Sequence, residues 1–393
     1  MTTRVYLDNA ATTPVDKQVL ACMMDTMEKN YGNPSSTHSV GQEAKTVIEN
    51  VRRQIAKVLN AQPSEIIFTS CGTESNNMII HSCVDHLEVK RIITSPLEHK
   101  CVAEAIRDAK MRKGVEVVYL RPDKMGVLSL TDLEDLLKSS DKKTLISLMH
   151  ANNEVGNLLD LKKVSQLAQQ YNALFHSDTV QTIGHLPLDL TDIPLDFASC
   201  SAHKFHGPKG SGFAFIRKTS RLKPYILGGP QERELRAGTE NVAGIAGLGK
   251  AFELAYDNLE TYSKHISEIK NYAIQQLKDS IPGVTFNGLS GDLNSSLYTV
   301  LSVLLPFKNP LIGLQLDMKG IAISQGSACS AGASKPSIVL MMLLDDHELE
   351  NSTPLRVSFS HLTTKEEIDY FVQAVKEISS SSSLIENADA IHR

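Results

Sequence analysis

Ser199-Cys200-Ser201-Ala202-His203-Lys204-Phe205-His206-Gly207-Pro208-Lys209-Gly210 closes a short apolar stretch, Asp196–Ala202, that reads as a buried strand. The strand ends in small and polar residues. A lysine follows, and then a Gly/Pro turn. A lysine fixed at a strand end, where other groups converge, is a candidate for a Schiff base with an aldehyde. It needs a depressed pKa to act as a nucleophile, and partial burial supplies that. Taken alone, Lys204 fits a solvated lysine before a turn better.

Outward from this strand the chain alternates. Ile66–Thr69, Arg91–Ser95, Glu116–Leu120, Thr144–Met149 and Ala173–Asp178 also read as short apolar strands. Helical patterns separate most of them, at Glu43–Leu59, Asn76–Leu87, Lys100–Arg112 and Leu161–Tyr171. Such alternation predicts an α/β fold with a mainly parallel, buried sheet. Phe213–Arg217, after Gly210-Ser211-Gly212, fits an antiparallel return strand. A long helical stretch over Gly247–Ser280 then leads away from the sheet. Beyond it, strands at Val284–Phe286, Ser296–Leu304, Ala322–Ser324 and Leu355–Ser360, with helices at Lys335–Leu343 and Lys365–Ile378, form a smaller α+β lobe. The serine run Ser379–Ser383 opens a polar tail expected to fray.

Bulk composition sets limits. The chain has 393 residues, 41% hydrophobic and 22% charged, with a formal net charge of −5. That suits a globular protein of two unequal domains. No basic run is longer than two residues, Arg52-Arg53 among them, so neither a nucleic-acid footprint nor a membrane-surface patch follows. No apolar run is long enough to span a bilayer, and the first residues resemble neither a secretory nor an organellar leader; a cytoplasmic location is the expectation. Six cysteines are present: Cys22, Cys71, Cys83, Cys101, Cys200 and Cys329. None forms a CxxC pair, so no metal is expected. Free thiols are the default in a reducing cytosol.

Three more stretches carry chemistry. Phe175-His176-Ser177-Asp178-Thr179-Val180-Gln181 puts an acid at the carboxyl end of a strand, where open α/β sheets place ligand groups. A carboxylate there can pair with a protonated pyridine nitrogen, or simply cap the next segment. Thr69-Ser70-Cys71-Gly72-Thr73-Glu74-Ser75-Asn76-Asn77 joins a strand to a helix and offers backbone N–H groups and hydroxyls to a phosphate; plain capping explains it equally well in isolation. Ser324-Gln325-Gly326-Ser327-Ala328-Cys329-Ser330-Ala331-Gly332-Ala333-Ser334 is a run of small residues with one thiol. Such a run suits a mobile loop. An accessible thiol there is a nucleophile candidate, against the plain alternative of an incidental loop cysteine.

Together and in this order, these stretches resemble the class I cysteine desulfurases of the NifS/IscS type. The resemblance runs from Tyr6-Leu7-Asp8-Asn9-Ala10-Ala11-Thr12-Thr13-Pro14 to His361-Leu362-Thr363-Thr364. It includes Tyr31-Gly32-Asn33-Pro34-Ser35-Ser36, Glu98-His99-Lys100, Asn152-Asn153-Glu154-Val155-Gly156, Arg236-Ala237-Gly238-Thr239-Glu240-Asn241 and Leu355-Arg356-Val357-Ser358. It implies the fold type I architecture of pyridoxal 5′-phosphate (PLP) enzymes: a seven-stranded, mainly parallel sheet in a large domain, plus a smaller α+β domain. The corresponding division is an N-terminal segment 1–15 packing with the small domain, a large domain 16–260, a small domain 261–380 and a tail 381–393.

Matched by position, the resemblance implies that Lys204 binds the cofactor covalently and that His99 stacks on its ring. Asp178 would pair with the ring nitrogen and Gln181 with the ring hydroxyl. Gly72, Thr73, Ser201 and His203 would hold the phosphate, with Thr239 reaching over from a second subunit. Asn153 and Arg356 would grip the substrate carboxylate, and Cys329 would be the nucleophile. The implied partners are L-cysteine, a second copy in a homodimer and a sulfur acceptor such as an iron–sulfur scaffold or a thiolation protein. Neither nucleic acid nor membrane is among them. His176, His206 and His361 are left as structural.

Two features depart from the best-known members. Gly72 stands where alanine is common, and the tail lacks an aromatic, hydrophobic ending of the scaffold-docking kind. The competing enzyme readings are a selenocysteine lyase, a cysteine or cystine β-lyase and an aminotransferase; the loop thiol favours a desulfurase. A non-enzymatic scaffold with this fold would be expected to lose Lys204, Asp178 or Cys329, and all three are present.

Overall fold

The structure, a computed structural model, describes residues 4–220, 222–325 and 337–391, with side chains as far as residue 380. The chain opens with a two-residue strand, β1 (Val5–Tyr6). Seven strands follow: β2 (Ile66–Thr69), β3 (Arg91–Thr94), β4 (Glu116–Tyr119), β5 (Thr144–Ser147), β6 (Leu174–Asp178), β7 (Phe197–Ser201) and β8 (Gly212–Ile216). They form one sheet in the order β2-β8-β7-β6-β5-β3-β4. All neighbours are parallel except β8, which runs antiparallel to both β2 and β7.

β2, β3, β5, β7 and β8 are buried at every position, which is why they read as continuous apolar runs rather than alternating ones. Helices cover both faces. On one, Val19, Ile48, Ile55, Leu248 and Phe252 pack on Phe68, Phe213 and Phe215. On the other, Met78, Ile79, Val102 and Ile106 pack on Ile67, Ile92 and Leu145. Each such side chain contributes roughly 1.5–3 kcal/mol by leaving water. The register matters for function: His176 faces Ser147 and Asp178 faces Ser199 across the ladder, so the carboxyl ends of β6 and β7 meet at one level.

A second sheet is antiparallel, in the order β12-β10-β9, with β9 at Thr285–Phe286, β10 at Val300–Leu305 and β12 at Thr353–Ser358. β11 (Ile321–Ala322) pairs in parallel with β1. Val5 and Leu7 join the core of this lobe beside Leu301, Val357 and Phe371.

Two features differ from the sequence pattern. The expected continuous helix after residue 247 is a pair, Val242–Asp257 and Leu259–Ser280. It breaks at Asn258, which leaves helical geometry (φ −110°, ψ 13°) while its side-chain amide donates to the Leu254 carbonyl at 2.8 Å. The serine run does not end the last helix, which spans Lys365–Ile391. Ser380 Oγ donates to the Lys376 carbonyl at 3.0 Å, a local bond that keeps a serine compatible with helix.

Glu232, Arg233 and Glu234 lie consecutively in the left-handed region, at φ 44°, 58° and 65°. That conformation costs roughly 1–2 kcal/mol for each L-residue. Buried Glu232 anchors the turn: its carboxylate accepts from Arg52 Nη1 and Nη2 at 2.9 and 2.7 Å and from the Phe68 backbone N–H at 2.7 Å. Replacing exposed Glu234 with glycine should raise unfolding stability by about 1 kcal/mol. Arg52→Leu, which strands a buried carboxylate, should lower it by about 3–5 kcal/mol. Denaturant unfolding checks both, and a lower midpoint for Glu234→Gly would show that the turn stores no strain.

Candidate functional site

A cavity of about 420 Å³ opens at the carboxyl ends of β6 and β7. Ten of the twelve residues singled out from the sequence line it: Gly72, Thr73, His99, Asn153, Asp178, Gln181, Ser201, His203, Lys204 and Arg356. Thr239 is exposed and does not line this cavity. Cys329 falls outside the described residues.

Lys204 ends a single 3₁₀ turn, Ala202–Lys204, placed directly after β7. Its Nζ donates to the carbonyls of Ala10 and Ala11, at 2.5 and 2.9 Å. Burial, then the Arg356 guanidinium, pushes its pKa down to about 8, against the pull of Asp178 and Asp8. An amine in that state is largely available as a nucleophile in mildly alkaline water. The Lys204 carbonyl accepts from His185 Nε2 at 3.0 Å, which fixes the turn from behind.

Asp178 is the last residue of β6 and is buried. Its carboxylate accepts from Asn76 Nδ2 at 2.8 Å, from the Val180 N–H at 3.0 Å and from Ser199 Oγ at 3.3 Å. Gln181 donates its amide to the Ala10 carbonyl at 3.1 Å. His99 caps the helix Lys100–Lys113, with Nδ1 accepting from the Cys101 N–H at 3.2 Å.

At one end of the cavity is a cup at the start of the helix Gly72–His86. The Gly72 N–H donates to Ser201 Oγ at 2.7 Å. A Cβ at residue 72 would lie 2.3 Å from Val180 Cγ2, so with valine opposite, glycine keeps the cup open. That gives a physical reason for the departure noted in the sequence. His203 stands beside it, with Nδ1 3.2 Å from Thr12 Oγ1, and burial, then Lys204 and Lys209, pushes its pKa down to about 4.

Arg356 lies on β12 of the other sheet. Its Nη1 donates to the Asn153 carbonyl at 3.1 Å, and its Nη2 to Asp8 Oδ1 and Ser324 Oγ at 3.0 and 2.9 Å. Its Nε is buried without a partner. A guanidinium held by one carboxylate with a donor to spare suits exchange onto a ligand carboxylate. The two chain ends that flank residues 326–336 both meet this rim. Ser324 bonds Asp8 and Arg356, and Ser337 Oγ donates to the carboxylate of Glu154, next to Asn153.

Sequence reasoning missed Asp8, Asn76 and Cys101 as members of the site. Asp8 and Asn76 lie inside stretches quoted above, yet nothing local marks them, because their partners are distant in sequence. His99, Cys101 and Asp178 have ligand atoms within 4.8 Å of one another and could hold a metal ion. They form one wall of the cavity, and the Asn76 amide already donates to Cys101 and Asp178. His206 and His361 contact each other at 4.5 Å between ring centroids and do not line the cavity.

The donor set fits pyridoxal phosphate: a nucleophilic amine, a buried carboxylate for the ring nitrogen and a glycine-floored cup for a phosphate. Modification of Lys204 by a small aldehyde with borohydride should therefore rise through pH about 8, well below the range of an exposed lysine. Arg356→Gln, which removes a repelling charge, should move that midpoint upward. Mass spectrometry of the Lys204 peptide reads both, and a midpoint that stays put in the variant would contradict the electrostatics described here.

The aminotransferase class-V family model matches residues 5–371. A protein named cysteine desulfurase IscS from Dictyoglomus turgidum is 42% identical over 96% of this chain and 95% of its own length. A solved structure described as a NifS-like protein superposes with a TM-score of 0.87 at 39% identity, covering 96% of this chain and all of that one. Another, described as SspA in complex with cysteine, has a TM-score of 0.77 at 33% identity and covers 92% of this chain and all of that one. The chain belongs to the class-V aminotransferase family and, within it, to the cysteine desulfurases of the NifS/IscS type.

Proposed function

We propose that this enzyme removes sulfur from free L-cysteine, leaving L-alanine and a persulfide on Cys329 that an acceptor protein then takes. The observation that carries the reading is the meeting of Lys204, Asp178 and Arg356 on one cavity, with both flanks of the Cys329 segment fastened to its rim. Cys329 is five residues beyond Ser324, and an extended stretch of that length spans up to about 17 Å.

Pyridoxal phosphate, when bound, supplies the electron sink that stabilises negative charge on the substrate. Gly72, Thr73, Ser201 and His203 would hold its phosphate, Asp178 its ring nitrogen and Gln181 its ring hydroxyl, with His99 against the ring. Arg356 exchanges Asp8 for the substrate carboxylate, with Asn153 beside it, which fixes orientation as well as affinity. Lys204, with its lowered pKa, takes the α-proton and returns one. The Cys329 thiolate attacks the substrate sulfur. A sulfur–sulfur bond forms, the carbon–sulfur bond breaks, and its electron pair stays with the carbon until protons arrive.

A homodimer belongs to this reading. Leu20, Met24 and Met27 form an exposed apolar face on the helix Lys17–Lys29, and Tyr31 and Leu227 are exposed as well. Such a face calls for a cover, and in this reading a second copy supplies both the cover and, by resemblance to the family, a Thr239 for this cavity. Among the described residues no helix is long and apolar enough to cross a membrane. A reaction that runs on free thiols suits the reducing cytoplasm. The acceptor, an iron–sulfur scaffold or a thiolation protein, is identified by chasing labelled sulfur from Cys329.

Cys329→Ala should abolish persulfide formation and alanine release while leaving the visible band of the bound cofactor intact. Lys204→Ala should lose the covalent link, so that borohydride no longer fixes cofactor to the chain. Sulfur transfer by the Cys329 variant, or sulfide release with selenocysteine strongly preferred over cysteine, would favour a lyase instead.

A further inference from the structure

Behind the cavity wall lies a line of polar groups that runs from buried Ser147, His176 and Asn76, to which the chemistry above gives no task, to Asp178, Cys101 and His99. Ser147 Oγ is 2.9 Å from His176 Nδ1, and His176 Nε2 is 3.0 Å from Asn76 Oδ1. Asn76 Nδ2 is 2.8 Å from Asp178 Oδ2 and 3.3 Å from Cys101 Sγ. Cys101 Sγ is 3.0 Å from His99 Nδ1. Ser147, Asn76 and His176 are fully buried.

The direction of the bonds from Asn76 back to Ser147 follows from one group that cannot donate. The Asp178 carboxylate only accepts, so the nitrogen side of the Asn76 amide must face it. The oxygen side then faces His176, and because an amide oxygen only accepts, His176 Nε2 carries the proton. His176 Nδ1 is left bare and accepts the Ser147 hydroxyl. At the far end, His99 Nδ1 already accepts the Cys101 backbone N–H at 3.2 Å, so the Cys101 thiol meets it as a donor. All donors point one way, from Ser147 through His176, Asn76 and Cys101 to His99, with a branch to Asp178. Head-to-tail bonds in a low-dielectric interior reinforce one another.

Two further facts keep the line in this state. Burial pushes the His176 pKa down to about 4, so the imidazole stays neutral. Burial, then Asp178, pushes the Cys101 thiol up to about 12, so it keeps its proton.

We propose that His176 and Asn76 are positioning residues for the cofactor: through one oriented hydrogen-bond line they fix both the Asp178 carboxylate and the His99 ring. The inference rests on the reading of the cavity as a pyridoxal phosphate site. The β5–β6 register sets it, because Ser147 and His176 are Cα partners in the ladder, so the sheet itself supplies the base of the line.

The test uses the full-length enzyme and pyridoxal 5′-phosphate as the probe, with cofactor affinity and the visible absorption maximum of the bound form as readouts. His176→Phe removes the donor to Asn76 and should weaken cofactor binding by about ten-fold or more and shift the absorption maximum. His176→Gln, whose amide can donate from nearly the same place, should recover both. Asn76→Asp keeps the shape of a well-packed residue but sets a second acceptor against Asp178, and should weaken binding at least as much; it answers the question if His176→Phe does not fold. The proposal is overturned if folded His176→Phe and Asn76→Asp both bind the cofactor as the wild type does with an unshifted band, whatever their turnover of L-cysteine. It is equally overturned if His176→Gln is no better than His176→Phe.

Discussion

The passage of residues 8–13 between the two lobes is the constraint on which the rest of the site depends. Asn9 Nδ2 donates to the Ser358 carbonyl, and the Ala10 N–H to Ser358 Oγ, both at 2.8 Å. On the other side, the Thr13 N–H donates to the His203 carbonyl at 2.9 Å, and Thr13 Oγ1 accepts from the His206 N–H at 2.7 Å. The carbonyls of Ala10 and Ala11 hold the Lys204 amine, and Asp8 holds the Arg356 guanidinium. One short segment, turned at residues 9–11, thus sets the distance between Lys204 and Arg356. Backbone carbonyls suit the lysine because they accept its hydrogen bonds without adding a full negative charge that would raise its pKa.

Charge in the cavity is arranged as a balance rather than a set of independent pairs. Lys204 and Arg356 repel, Asp178 and Asp8 attract, and burial tips the result toward a neutral amine. Asp8 is aligned with Arg356 by Ser324, which donates to the same carboxylate oxygen at 2.8 Å. Ser324 is also the strand-like partner of Arg356. Arg356, Asp8 and Ser324 thus form one contact cluster just before residues 326–336.

Much of this was legible in the sequence, for stated physical reasons. The sheet strands are buried on both sides, so they appear as dense apolar runs with turn residues between them, and β8 announced itself through the glycines before it. Lys204, Asp178 and Gly72 stand at strand ends or a strand–helix junction, where backbone geometry alone makes a ligand contact reasonable. What could not be read locally was set by distant partners. The break at Asn258 depends on a single residue leaving helical geometry inside a stretch of good helix formers. The helix continues into the serine run, and at Ser380 the hydroxyl bonds the preceding turn. Asp8 and Asn76 acquire meaning only when the fold sets them beside Arg356 and Asp178, and His176, whose side chain points into the sheet's flank, looked like an ordinary core histidine.

The left-handed turn at residues 232–234 has a consequence for how this chain can be recombined. Its backbone is tenable because Arg52, carried on a helix 180 residues earlier, grips Glu232. The turn leads directly into the Arg236–Asn241 stretch that bears Thr239. A chimera that replaces residues 232–241 must therefore keep a partner for Glu232 at position 52, since the turn is held from a helix far away in the sequence.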